Sequence, residues 1–306
     1  MNISRRRFNA GHPALPPEDY MPRYRNIFAF LLPVLLTFCL SAGASAPVAM
    51  QQPMTPEEAF AYTETRANGG DVKAMLTMGG FYEQGIGTYR DYTKALEWYR
   101  KAADGGAPEG IYNVAVFQEV GMGAASDIQK AAEGFRKAAD TGLPQAHYKL
   151  STLYAEGRGV AKDEARAVEH LKKAAEAGHS VAANDMGVIC LHGLMGQKED
   201  GSTALTMFLK AADAGNLEAV KNIAVIFRDG IGQPVNHTTA LKWFLIAQKG
   251  GYPAPDLPLV IDALKQGMKP DLVSFAEGQA NKWIADFQKK TDGQPGSSAA
   301  AAQPGR

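Results

Sequence analysis

Apolar residues fall at helical spacing in five successive blocks of this chain. Each block opens on a small residue, Ala74, Gly110, Ala146, Ala182 or Ala219. Four positions on stand Met78, Val114, Leu150, Met186 and Ile223, and seven on stand Phe81, Phe117, Leu153, Ile189 and Ile226. The eighth position holds Tyr82, Gln118, Tyr154, Cys190 and Phe227. Residues so spaced share one face of a helix, so each block predicts a first helix with a buried stripe. The stripe ends at Gly85, Gly121, Gly157, Gly193 and Gly230, where a left-handed residue can satisfy the last carbonyls. Four of these open a Gly-x-Gly turn, and the fourth block reads Gly193-Leu194-Met195-Gly196, one residue longer.

A second helix is predicted after each turn. It starts at Asp91, Asp127, Asp163, Asp200 or Asn236, whose side chains can accept hydrogen bonds from free first-turn amides. Four residues further on sit Ala95, Ala131, Ala167, Ala204 and Ala240, small enough for close helix approach. Bulky residues follow, such as Trp98-Tyr99 and Trp243-Phe244, and the helix closes near Lys-Ala-Ala-x-x-Gly, as at Lys173 to Gly178. The closing glycines, Gly70, Gly106, Gly142, Gly178, Gly215 and Gly251, step by 36 residues except for one step of 37, from Gly178 to Gly215. The extra residue in the fourth turn accounts for that step. Repetition at such a period predicts stacked helix pairs, none of which buries its apolar face alone.

The pattern resembles the Sel1-like repeat family, a relative of the tetratricopeptide repeats. The third block carries Tyr148, Leu150, Tyr154, Gly157, Gly159, Val160, Asp163, Ala167, Lys173, Ala174, Ala175 and Gly178 in register with the family consensus. The tetratricopeptide repeat itself has a period of about 34 residues and lacks the Gly-x-Gly turn. The resemblance spans residues 71–251 and implies an all-α, right-handed α-solenoid of stacked helix-turn-helix repeats that binds proteins rather than catalysing a reaction. Residues 55–70, with Ala59 and Tyr62 at second-helix positions, read as a half repeat before the array. Over 252–290, Pro253, Pro255 and Pro258 break the pattern. A short helix then ends near Gly267, and a last helix starts at Pro270 with Leu272, Phe275, Ala276, Ala280, Trp283, Ile284 and Phe287 along one face. That helix is expected to cap the open end of the stack. Residues 291–306, rich in Gly, Pro, Ser, Ala and Gln, are expected to be disordered.

The first 46 residues change the picture of compartment. Arg23 and Arg25 precede the apolar run from Ile27 to Leu40 and the small residues Ser41 to Ala46, the layout of a cleaved secretory signal peptide. Met21 onward reads as a complete leader, which makes Met21 an alternative translation start. Ala42-Gly43-Ala44 favours cleavage before Ser45, with Ala44-Ser45-Ala46 as the other option. The apolar run contains Pro33 and falls short of the roughly 20 residues of a membrane span, so no stable anchor is expected. The expected location is periplasmic or secreted.

Charge is balanced at 32 basic and 32 acidic residues. Without residues 1–46 the count becomes 27 against 30, mildly acidic, and no Lys/Arg cluster supports nucleic-acid binding. Cys190 is then the single cysteine, so no internal disulfide can form. No Ser-x-x-Lys, Gly-x-Ser-x-Gly, His-Glu-x-x-His or phosphate-loop sequence occurs. His147, His170, His179, His192 and His237 lack ligand spacing, so neither a metal nor a cofactor is expected. Some Sel1-like proteins with paired cysteines in every repeat are described as binding or slowly hydrolysing β-lactams. This chain departs from them in having no such cysteines, which leaves weak β-lactam or cell-wall-peptide chemistry as the alternative to an adaptor.

The expected binding surface follows from the stripe. The residue three beyond each opening position, Thr77, Asn113, Lys149, Asp185 or Asn222, is predicted to point away from the core into a concave groove. Tyr112, Tyr148, Asn184 and Lys221 flank them, and Val116, Thr152, Val188, Val225, Gln84, Glu156, His192 and Asp229 lie one or two turns on. Amide, ammonium and phenol groups in such a groove suit a peptide or loop of a partner protein. The residues assigned to partner binding are Tyr112, Asn113, Tyr148, Lys149, Asp185 and Asn222.

Overall fold

A computed structural model describes residues 54–292. The expected leader, the alternative start at Met21 and everything after residue 292 lie outside the described residues. Thirteen helices and no strands are present among those described. α1 (Pro56–Asn68) precedes five pairs: α2 (Val72–Gln84) with α3 (Tyr92–Asp104), α4 (Pro108–Val120) with α5 (Ile128–Asp140), α6 (Pro144–Glu156) with α7 (Glu164–Glu176), α8 (Ser180–His192) with α9 (Gly201–Asp213), and α10 (Leu217–Asp229) with α11 (His237–Lys249). α12 (Leu257–Gln266) and α13 (Pro270–Asp292) follow. The array is an all-α solenoid.

Helix ends obey the spacing of the caps. Asp91, Asp127, Asp163 and Asn236 each accept a hydrogen bond from the backbone amide three residues on, and Asp200 accepts two, from Ser202 and Thr203. First helices close on left-handed glycines, with φ between 60° and 85° from Gly193 to Gly121. The second helices differ slightly from expectation. The residue that closes each is the one before the periodic glycine, such as Gly105, Thr141 or Ala177, and the periodic glycine follows it at positive φ.

The second glycine of each Gly-x-Gly turn has a steric reason as well. A Cβ on Gly159 (φ 67°) would lie 2.4 Å from the carbonyl oxygen of Ile128, at the start of the preceding second helix. Gly87, Gly123 and Gly232 approach Pro56, Tyr92 and Gly201 in the same way. These turns therefore pack closely against the preceding repeat.

Pairing within a repeat depends on a small residue five beyond the opening position, which the stripe did not single out. A Cβ on Gly79 would lie 2.4 Å from the Tyr99 ring, and one on Gly187 would lie 2.6 Å from the Phe208 ring. Tyr99, Phe135 and Phe208 are accordingly sealed from solvent. The Tyr99 hydroxyl donates to Glu83 at 2.6 Å, and burial raises the pKa of both groups. Cys190 packs in the core, where burial raises its thiol pKa.

At the end of the array α13 lies against α11. Ala276 and Ala280 are fully buried, and Trp283 meets Trp243 edge to face at 5.6 Å while stacking on Phe287 at 5.1 Å. Leu272 and Phe275 depart from the predicted buried face and are exposed, because Val273 takes the inward position in the first turn of the helix. The helix also runs two residues into the expected tail, where the Thr291 hydroxyl donates to the Phe287 and Gln288 carbonyls.

Candidate partner-binding groove

First helices of adjacent repeats lie side by side, and their polar residues meet across the repeat boundaries. The Tyr148 hydroxyl on α6 donates to Asp185 Oδ2 on α8 at 3.0 Å. On α8 the Asn184 amide reaches Asp185 Oδ1 at 3.4 Å, and its oxygen accepts from Asn222 Nδ2 of α10 at 3.1 Å. One repeat earlier, Lys149 Nζ contacts Glu119 Oε2 of α4 at 2.9 Å, and Arg158 contacts the other Glu119 oxygen at 3.3 Å. Four of the six assigned residues, Tyr148, Lys149, Asp185 and Asn222, thus belong to polar links between neighbouring first helices. Thr152, Val116, Val188 and Val225 are half-buried beside them, and Gln84, Glu156, His192 and Asp229 are exposed.

Tyr112 and Asn113 require correction. Asn113 is 8% exposed and Tyr112 is 9% exposed, so neither projects freely into a groove. The Tyr112 ring packs against Phe135 of α5 with centroids 5.5 Å apart. The physical reason is that small residues let α4 sit close to both neighbours, to α5 through Ala115 and Gly134 and to α3 through Gly110, which draws its flank into the core.

The sequence did not reveal Glu119 or the way His179 serves the site. His179 is the N-cap of α8, where its Nδ1 accepts the Ala182 amide at 3.1 Å, and its ring stacks on Tyr148 at 4.6 Å. Accepting through Nδ1 requires the neutral ring. Burial lowers the His179 pKa, which favours that form.

Two other histidines, distant in sequence, also meet. His147 on α6 and His170 on α7 place their Nδ1 atoms 3.0 Å apart, with ring centroids at 5.3 Å. The centroid separation is close to the nitrogen separation plus the two ring radii, so the nitrogens face each other as donor and acceptor of one N–H···N bond. His170 also stacks on Tyr154 at 5.6 Å. Burial lowers both histidine pKa values. Lys173 lowers both further, and His147 and Arg136 add to the effect on His170, while Glu169 opposes it for both and Asp140 for His147. Among the described residues no group of three or more histidine, cysteine or carboxylate ligands is placed to hold a metal ion.

The sign of the pH dependence follows. A base with a folded pKa below its unfolded value near 6.5 contributes stability above that pH, and the contribution is lost as pH falls through the folded pKa. The melting temperature is therefore expected to fall as pH drops from about 7 to about 5. In His147→Gln that dependence should flatten to the share left by His179 and by the burial of His170. An unchanged slope in the variant, measured by thermal melts across pH, would rule out the pair as its source.

The Sel1 repeat profile matches five consecutive segments: residues 72–106, 108–143, 144–179, 180–216 and 217–252. Among solved structures, the Sel1 repeat protein from Oxalobacter formigenes is similar at 28% identity and a TM-score of 0.62, over 76% of this chain and 94% of that one. The protective antigen c5321 of uropathogenic Escherichia coli strains, which displays an SLR fold, is similar at 27% identity and a TM-score of 0.62, over 79% of this chain and 53% of that one. No curated protein matches the chain significantly. Repeats of this kind are scaffolds for protein–protein interaction and are generally non-enzymatic. Among the described residues no helix is long and apolar enough to cross a membrane. With five matched repeats covering more than half its length, the chain belongs to the Sel1 repeat family.

Proposed function

We propose that this protein is an exported, non-enzymatic adaptor of the bacterial cell envelope that binds a partner peptide or protein on the face formed by α4, α6, α8 and α10. The observation that carries this reading is the run of linked polar side chains from Tyr148 through Asp185 and Asn184 to Asn222, which crosses three successive first helices. The buried Asn184 joins the partly exposed Asp185 carboxylate and Asn222 amide, which stand at the spacing of the repeats, and held side chains lose little freedom when a partner docks. The arginine-led apolar segment and small-residue stretch ahead of Pro47 support export.

Capture from an envelope extract on the immobilised protein tests the face. The wild type is expected to retain a specific partner that Asp185→Ala combined with Asn222→Ala loses, while melting shows the variant still folded. Equal recovery by both proteins would overturn the assignment. Intact mass of the protein recovered from its native host is expected to show a chain starting at Ser45 or Pro47, and a chain retaining residues 21–44 would overturn export by cleavage.

A further inference from the structure

Neighbouring repeats treat one carboxylate position differently. Nine residues beyond the opening position stand Glu83 on α2 and Glu119 on α4. At the boundary between the second and third repeats, Glu119 is met by two cations of the following repeat, Lys149 at 2.9 Å and Arg158 at 3.3 Å. Lys149 also lies 5.9 Å from the centre of the Phe135 ring, so ammonium, carboxylate and ring share one junction. At the boundary between the first and second repeats, the positions equivalent to Lys149 and Arg158 are held by Asn113 and Met122, which carry no charge. Tyr99 stands there in place of Phe135, and its hydroxyl gives Glu83 a hydrogen bond at 2.6 Å that phenylalanine could not supply.

One phenol does not replace two cations. An ionised carboxylate offers about four acceptor sites, and holding it partly out of water is costly until its charge is met. Glu83 is half-buried, and among the described residues the Tyr99 hydroxyl is its one hydrogen-bond donor. Arg90, exposed on the turn after α2, acts on Glu83 through its charge without forming an ion pair with it. Burial raises the Glu83 pKa, while Tyr99 and Arg90 oppose the rise. Asn113, in the lysine position, is 8% exposed, and its side chain makes no hydrogen bond to a described residue. The Met122 side chain packs against the cluster that holds Tyr99 and Phe117 and brings no donor.

Resting on the reading of the first helices as the partner surface, continued here to α2, we propose that Glu83 receives a lysine or arginine side chain of the partner. That side chain takes, between the first and second repeats, the place that Lys149 takes one repeat later. Its cationic head meets the side of the carboxylate that Tyr99 leaves open, and the Asn113 oxygen accepts a further N–H. The chain thus carries its own example of the occupied site, in which the cation comes from the next repeat instead of from outside.

NMR titration of the isotope-labelled protein with blocked glycine pentapeptides, carrying lysine, arginine, norleucine or glutamate at the centre, tests the proposal. The lysine and arginine peptides are expected to shift the amides of Glu83, Tyr99 and Asn113. Binding should weaken by about ten-fold for norleucine and for Glu83→Gln, the value of one charge-assisted hydrogen bond. Arg90→Gln removes a competing charge and should strengthen binding of the basic peptides. Asn113→Lys supplies the missing cation from within, so it should melt higher than wild type and lose the basic peptides as Glu83→Gln does. Equal binding of norleucine, lysine-induced shifts away from these residues, weaker binding in Arg90→Gln or undiminished binding in Asn113→Lys would overturn the basic anchor. If the anchor falls while Asp185→Ala with Asn222→Ala still abolishes partner capture, the adaptor reading stands; loss of both results overturns both.

Discussion

Replacing Gly159 with valine is expected to cost about 3 kcal/mol or more, combining about 1–2 kcal/mol for a left-handed residue with a Cβ and about 1–3 kcal/mol for overpacking. The backbone there has φ 67°, and the new Cβ would stand 2.4 Å from the Ile128 carbonyl oxygen. A backbone atom held at the start of α5 cannot swing aside as a side chain could. Because solenoid stability is largely a sum of neighbour contacts, the loss falls on the junction between the second and third repeats. Gly157→Val provides the comparison. It meets the same conformational penalty at φ 71°, but its nearest neighbour is the Lys162 Cβ at 3.1 Å. Thermal melts should rank Gly159→Val well below Gly157→Val and both below wild type. Equal midpoints for the two variants would show that conformation alone governs these turns.

Phe208→Ala is expected to destabilise by about 3–5 kcal/mol, the usual range for deleting a buried aromatic ring. Phe208 is sealed from solvent and lies directly over the backbone of Gly187. The informative part is the cycle with Gly187→Ala. In the wild type the added methyl would sit 2.6 Å from a rigid ring carbon and should destabilise by about 1–3 kcal/mol, less the better helix propensity of alanine. In the Phe208→Ala background the ring is gone, so the same methyl fills part of the cavity and its effect should change sign, to about 1 kcal/mol stabilising. Denaturant melts of the four proteins test this. Additive effects would mean that the two residues do not share one packing site.

The fold was legible because its rules are local and repeated. The apolar stripe, the Asp and Asn caps and the glycine that ends each first helix are backbone requirements expressed within a few residues. Five repetitions in register removed the ambiguity of any one of them. Even the 37-residue step could be assigned to Gly193–Gly196 from the chain alone.

The binding face was legible only in part. Helical periodicity places Tyr148, Lys149, Asp185 and Asn222 on one flank of their helices, but it does not say how deep that flank is buried. Tyr112 and Asn113 occupy equivalent positions and are nevertheless buried, because small residues let α4 lie close to α5. Partners brought together by stacking left no signal in the spacing: Glu119 with Lys149 are 30 residues apart, and His147 with His170 are 23.

The helices, their ends and their order are thus determined by the sequence itself, since each rests on hydrogen bonds and side-chain rotamers within one turn. Which polar residues meet and which are covered were decided only by the tertiary structure. Those outcomes depend on distances between helices of different repeats, which are set by the volumes of residues such as Gly79, Gly159 and Gly187 and by the groups facing them across the interface.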